Sequence, residues 1–248
     1  MSDGALRRAM GLGLGLAAGA ALVQAAPMVT AAPPLRRWWP ALAGQGSAGH
    51  VALTFDDGPD ALSTPLFLDE LARLDVRATF FMLGEMVTRF PDLPKQVVAG
   101  GHELAVHSWD HRNHLRHPPG RRTSEQLERT ADLLERQAGV RPSFFRPPYG
   151  ALTAADLAAA AGVGLQPVLW TAWGRDWEAT ASPDSVLASV RKGLTSGGTV
   201  LLHDSDCTSA PGSWRSALGA LPLVVRECHA RDLVVGPLTE HGLPSRRV

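Results

Sequence analysis

From residue 50 onward, short apolar or β-branched runs alternate with helical patterns, and this alternation constrains the fold more than any other feature of the chain. The runs are VALTF (51–55), RATFFML (77–83), HELAVH (102–107), SFFR (143–146), PVLWT (167–171), TVLLH (199–203) and LVV (233–235). Strands that alternate with helices are joined by crossovers and run parallel, which leaves a (β/α) barrel or an open doubly wound sheet. Helix signals fall between the runs. Ser63 can cap a helix with Pro65 in its first turn, and Thr123 with Gln126 makes a capping-box pattern before a helix that Gly139 would end. Thr153 and Ser182 can cap two more, the second with Pro183 at its first position.

The polar side chains at the ends of these runs decide between the two architectures. Asp56 and Asp57 follow the first run, His107 ends the third, Arg146 the fourth, Asp176 follows the fifth and His203 ends the sixth. A parallel barrel gathers all C-terminal strand ends around one mouth, whereas an open sheet spreads them along a crevice. A (β/α) barrel is therefore the expected fold, with its site at that mouth.

Each group also has a structural reading. His107 and His111 stand four apart in HSWDH and can reach one metal ion if the chain turns after the strand; alone, they could be ordinary loop histidines. Asp110 inside the motif could be a further ligand, but reads as solvated. Of the adjacent acids Asp56 and Asp57, one can bind a metal while the other accepts a proton, provided that Gly58-Pro59 turns the chain; an Asp-Asp-Gly turn is the simpler alternative. In FRPPYG, Arg146 can orient a carboxylate and the backbone amide of Tyr149 can face an oxyanion, or the arginine is structural. His203 suits a general acid and Asp176 a partner that orients it. The remaining histidines, His50, His102, His114, His117, His229 and His241, show no partner in the sequence.

Composition removes several classes of function. The 248 residues carry 24 basic and 24 acidic side chains, so nothing directs the chain to nucleic acid. Two cysteines, Cys207 and Cys228, exclude a cysteine-rich zinc site and leave one bridge open. Arg7 and Arg8 precede a 15-residue apolar run, AMGLGLGLAAGAALV, with small residues after it. That pattern reads as a secretory signal or membrane anchor over 1–30, followed by a Pro/Gly-rich linker over 31–49 and a catalytic domain over 50–240. An extracytoplasmic monomer, secreted or held at the membrane through its N-terminal segment, is the expectation, with a cytoplasmic protein as the alternative.

The five ordered motifs TFDDGP, HSWDH, RPPYG, RDW and LLH resemble those of the polysaccharide deacetylases of carbohydrate esterase family 4, over roughly residues 50 to 238. The resemblance implies a distorted (β/α) barrel of seven parallel strands with its site at their C-terminal ends, and removal of N-acetyl groups from a chitin- or peptidoglycan-type polymer of N-acetylglucosamine. It implies one divalent metal, zinc in type with cobalt, nickel or manganese as alternatives, held by Asp57, His107 and His111. It further implies Asp56 as the base, Arg146 as its partner, the Tyr149 amide in the oxyanion site, and His203 as the acid tethered by Asp176. The family's fourth motif often has another aspartate where this chain has Trp173; a tryptophan there could stack on a sugar ring, or Trp170, Trp173 and Trp177 could simply pack the barrel. A deacylase acting on a small amide and a carbohydrate-binding protein without catalysis are the competing readings.

Overall fold

The computed structural model describes residues 33–116 and 121–243. The N-terminal apolar run and His117 lie outside the described residues. In chain order the elements are β1 (His50–Asp56), α1 (Thr64–Arg73), β2 (Thr79–Met82), α2 (Gly84–Arg89), α3 (Leu93–Ala99), β3 (Glu103–Val106), α4 (Arg121–Ala138), β4 (Phe144–Phe145) and α5 (Ala154–Val163). They continue with β5 (Gln166–Pro167), β6 (Ala172–Trp173), α6 (Pro183–Arg191), β7 (Thr199–His203), α7 (Trp214–His229) and β8 (Val234–Gly236).

Seven strands form a curled parallel sheet in the order β5-β4-β3-β2-β1-β7-β6, and β8 pairs with the start of β1. The expected fifth strand is not continuous. Its first residues pair with β4 and its last with β7, so a single segment reaches from one edge of the sheet to the other. Val168 N–H donates to Phe145 O (2.9 Å) and Thr171 N–H to Thr199 O (3.0 Å). Three residue steps span at most about 11 Å, so the two edges must lie close together. Between those bonds, Leu169 N–H donates to Leu42 O at 2.8 Å. This is a distorted barrel, closed by a bent segment in place of a ladder.

Strand alternation then divides the two faces. Val51, Leu53 and Phe55 of β1, Phe80 and Met82 of β2, Leu104 and Val106 of β3, and Val200 and Leu202 of β7 join the main core. Phe67 and Leu71 of α1, Leu127 and Leu134 of α4, and Leu221 and Val224 of α7 belong to the same core. Each fully buried side chain of this size contributes about 1.5–3 kcal/mol. The intervening positions form a second, smaller cluster that includes Ala52, Phe81, Ala105, Phe144 and Val168. Asp56, His107, Arg146, Trp173, Leu201 and His203 continue that same alternation.

Several local expectations change. Ser63 does not cap α1 through its side chain; Asp60 Oδ1 accepts from the amides of Leu62 (2.9 Å) and Ser63 (3.0 Å) instead. Helix α4 begins at Arg121, which places Thr123 inside it and removes the proposed capping box. Thr153 and Ser182 do cap α5 and α6, each in a reciprocal capping box, and Gly139 ends α4 at φ +74°. The stretch read as a linker is bound into the body near its end: Ala43 is buried, Gly46 N–H donates to Gly197 O and Ser47 N–H to His241 O. Cys207 and Cys228 are both free, because Cys228 lies in the main core on α7 while Cys207 is exposed in the loop after β7.

Candidate active site

The mouth of the barrel holds a cavity of about 250 Å³ lined by Asp56, Asp57, His107, His111, Tyr149, Trp170, Trp173, Trp177, Leu201, His203, Thr208 and Ser209. Of the residues given a ligand or catalytic role, all except Arg146 and Asp176 line it. Those two stand behind Asp56 and His203.

Asp56 is the last residue of β1 and faces inward. Asp57 follows at φ +76°, a left-handed conformation that costs a non-glycine residue energy and recurs at functional sites. This turn brings two consecutive carboxylates into one cavity although an extended strand would point them apart. Gly58 is required next, since a Cβ there would stand 2.5 Å from an Asp204 carboxylate oxygen.

Both histidines converge on Asp57. Its Oδ1 lies 3.3 Å from His107 Nε2 and 3.2 Å from His111 Nε2, and the ligand atoms of the three residues all lie within 4.8 Å of one another. His107 Nδ1 is 2.8 Å from Arg146 O; a proton on Nδ1 serves that bond and leaves a lone pair on Nε2. Asp57 Oδ1 is buried without a hydrogen-bond partner, while Oδ2 accepts from Thr208 Oγ1. An orphaned carboxylate oxygen facing two imidazole nitrogens is costly unless a cation satisfies all three, and one carboxylate with two imidazoles suits a divalent ion with open positions. The residues therefore fit a metal. Burial pushes the His111 pKa down to about 4, against the attraction of Asp57, and so favours the neutral, ligating form. Burial alone would raise the Asp57 carboxyl; contact with His107 and the nearby His203 and His111 outweigh it and hold the group well below its usual range.

Asp56 has a different partner. Arg146 is fully buried and donates through Nη1 to Asp56 Oδ1 (2.7 Å) and Thr54 Oγ1 (2.9 Å). Its Nε and Nη2 donate to Val168 O (3.1 Å) and Leu169 O (3.0 Å), and its guanidinium lies 4.0 Å from the centroid of the Phe81 ring. The arginine thus ties the acid to the bent segment that closes the barrel. Asp56 Oδ2 is left facing His107 Nε2 at 3.8 Å.

His203 is fixed by one carboxylate used twice. Asp176 Oδ2 accepts from His203 N–H at 2.7 Å and Oδ1 lies 3.1 Å from Nδ1, which leaves Nε2 free. Burial would lower the His203 pKa, but Asp176, helped by Asp57 and Asp56, raises it to about 10. Tyr149 adopts φ +60°, its amide makes no hydrogen bond among the described residues, and its ring meets His111 edge-on at 4.4 Å. Trp173 is 44% exposed and lines the cavity, so the packing reading fails for it. Trp170 and Trp177 flank it at 6.1 and 5.4 Å between ring centroids.

Asp110 is mostly buried and pairs with Arg112 at 3.3 Å, in place of the solvated position expected for it. Two contributors escaped the sequence reading. Thr208 holds Asp57 from a loop with no recognisable pattern, and Asp204 lies buried beside Gly58 with Thr64 Oγ1 donating to its Oδ2 at 2.6 Å. Asp204 stands next to His203 in the sequence, which was the available signal.

The family model described as polysaccharide deacetylase matches residues 43–168. The chain belongs to the polysaccharide deacetylase family. It is 35% identical over 173 residues to a peptidoglycan-N-acetylglucosamine deacetylase of Bacillus cereus, covering 70% of this chain and 62% of that protein. It is also 35% identical over 197 residues to a chitooligosaccharide deacetylase of Bradyrhizobium, covering 77% and 89%. Among solved structures, the Bc1960 peptidoglycan N-acetylglucosamine deacetylase superposes with a TM-score of 0.75 at 30% identity, over 84% of this chain and 95% of that one. The chain thus spans less than two thirds of the Bacillus cereus relative's length and nearly all of the Bc1960 chain.

Proposed function

We propose that this polysaccharide deacetylase family member hydrolyses N-acetyl groups on an N-acetylglucosamine polymer, releasing acetate and a free amine. The observation that carries this reading is the convergence in one cavity of a buried, partnerless Asp57 oxygen between two imidazoles, an arginine-held carboxylate, and a histidine tethered by Asp176. In this reading Asp57, His107 and His111 hold a divalent metal, with zinc as our assignment. When bound, the metal would polarise the acetyl carbonyl and acidify a water.

The chain's own groups then divide the proton transfers. Asp56 Oδ2 accepts a proton from the attacking water, with Oδ1 immobilised by Arg146. The Tyr149 amide, free of other bonds, stabilises the oxyanion that develops on the acetyl oxygen. His203 Nε2 donates its proton to the departing nitrogen, and Asp176 stabilises the imidazolium beforehand. Water adds to the acyl carbon, the C–N bond breaks, and both products are accounted for.

A polymer is favoured over a small amide by the shape of the cleft. A second cavity of about 480 Å³ borders the first at His111 and Thr208 and is lined further by Leu83, Arg89 and Trp109. The filled catalytic positions oppose a purely binding protein. The N-terminal apolar run supports an exported protein, secreted or membrane-held, acting outside the cytoplasm. No helix among the described residues is long and apolar enough to cross a membrane. Acetate release measured across chitooligosaccharides, peptidoglycan and small N-acetyl compounds tests the proposal. Hydrolysis restricted to the small amides would replace it with the deacylase reading.

A further inference from the structure

Behind the candidate metal ligands lies a second polar cluster that the chemistry above does not use. Ser108, His114 and Asp156 are buried, and none of them lines the cavity at the barrel mouth. Ser108 Oγ lies 3.1 Å from His114 Nε2, and His114 Nδ1 lies 2.6 Å from Asp156 Oδ1. The order serine, histidine, aspartate copies that of a nucleophilic triad, but a serine with no exposed surface cannot attack a substrate.

The cluster has another consequence. A histidine ligand is normally oriented by a hydrogen bond to its second ring nitrogen. His107 has one, to Arg146 O, whereas His111 Nδ1 is buried with no partner. Apart from its edge-on contact with the Tyr149 ring, the position of His111 therefore comes from its loop. Ser108 and His114 bridge the two ends of that loop and cinch it at its base, with His111 between them. The base is anchored on three sides. Ser108 O accepts from Thr130 Oγ1 of α4 (3.1 Å), Asp156 Oδ2 accepts from Thr153 N–H in the cap of α5 (2.8 Å), and the His114 ring stacks on Phe145 of β4. Ser108 Oγ also reaches Gln126 Oε1 of α4 at 3.2 Å.

We propose that Ser108, His114 and Asp156 are positioning residues that preset His111 for the metal, supplying through the loop the orientation that its own ring lacks. This rests on the metal assignment made above. Zinc affinity of the full chain, measured by competition with a chromophoric chelator, should fall about 10–100-fold in His114→Gln and Ser108→Ala, the range found when groups that orient ligands are removed. The melting transition of chelator-stripped protein should stay cooperative in both, which separates positioning from loss of fold. Should His114→Gln not fold, Ser108→Ala removes only a hydroxyl and carries the same test. A folded variant whose zinc affinity stays within about twofold of wild type overturns the proposal, since 10-fold is its lower bound. A wild-type chain that binds no zinc overturns the metal assignment together with it.

Discussion

Asp56 and Asp57 are neighbours in the chain with unlike surroundings: one is held by a guanidinium, the other faces two imidazoles. His111→Ala should therefore lower zinc occupancy, while Asp56→Asn should leave occupancy unchanged and suppress turnover, as metal analysis beside acetate-release rates will show. Equal metal loss in both variants would mean that the two acids have been interchanged. His203 gives a signed pH prediction. It must be protonated to donate, and Asp176 raises its pKa, so activity should persist into alkaline solution and decline as pH rises toward about 10. Asp176→Asn removes the largest favourable partner, and the alkaline limb of the kcat profile should move to lower pH. Trp173 is exposed beside two tryptophans that restrict it, an arrangement suited to stacking on a ring. Trp173→Ala should weaken long oligomers by about 1–3 kcal/mol, by analogy with aromatic stacking on planar ligands, with little change in melting. A loss of about 3–5 kcal/mol in stability, with chain-length preference intact, is the outcome expected of a core residue and would reverse this assignment.

Among the elements, the segment 166–173 does the most, because it replaces a strand ladder with a bend and depends on Arg146 to satisfy two of its carbonyls. Arg146→Ala leaves Asp56 buried without its counter-charge and the carbonyls of Val168 and Leu169 without those donors. Denaturant unfolding should report a loss of about 3–5 kcal/mol. Helix α6 makes a contrasting case, since its capping box is local and exposed: Ser182→Ala should cost about 1 kcal/mol and leave activity nearly unchanged. The difference between these helix starts also explains what the sequence revealed of them. Thr153 and Ser182 cap through residues three positions on, which a short pattern records. The start of α1 is held by Asp60, and Ser63 is drawn away to Asp204 O across the barrel mouth (2.5 Å), a contact between residues 141 positions apart.

At the scale of the whole molecule, every polar group proposed for catalysis stands at one end of the barrel, and the segment that includes Leu42 and Ala43 packs where the barrel closes. If the N-terminal run directs export, fractionation of cells making the intact chain should find the protein outside the cytoplasm or on the membrane, shortened if the signal is cleaved. An unprocessed soluble cytoplasmic protein is incompatible with that expectation.

Much of this architecture followed from local rules. Alternation of strand and helix patterns indicated parallel pairing, and inward parity on β1 and β7 placed Asp56 and His203 at the same end, where they are direct register partners. The motif positions identified Asp57, His107, His111, Arg146, Tyr149 and Asp176 as the residues to examine. Tertiary structure alone decided the rest. The splitting of the fifth strand depends on which edges its two ends meet. Thr208 reaches Asp57 across 151 positions, and His114 finds Asp156 across 42. Side-chain patterns record what lies within a few residues along the chain, whereas these contacts are set by packing of segments whose separation in sequence carries no signal of their meeting.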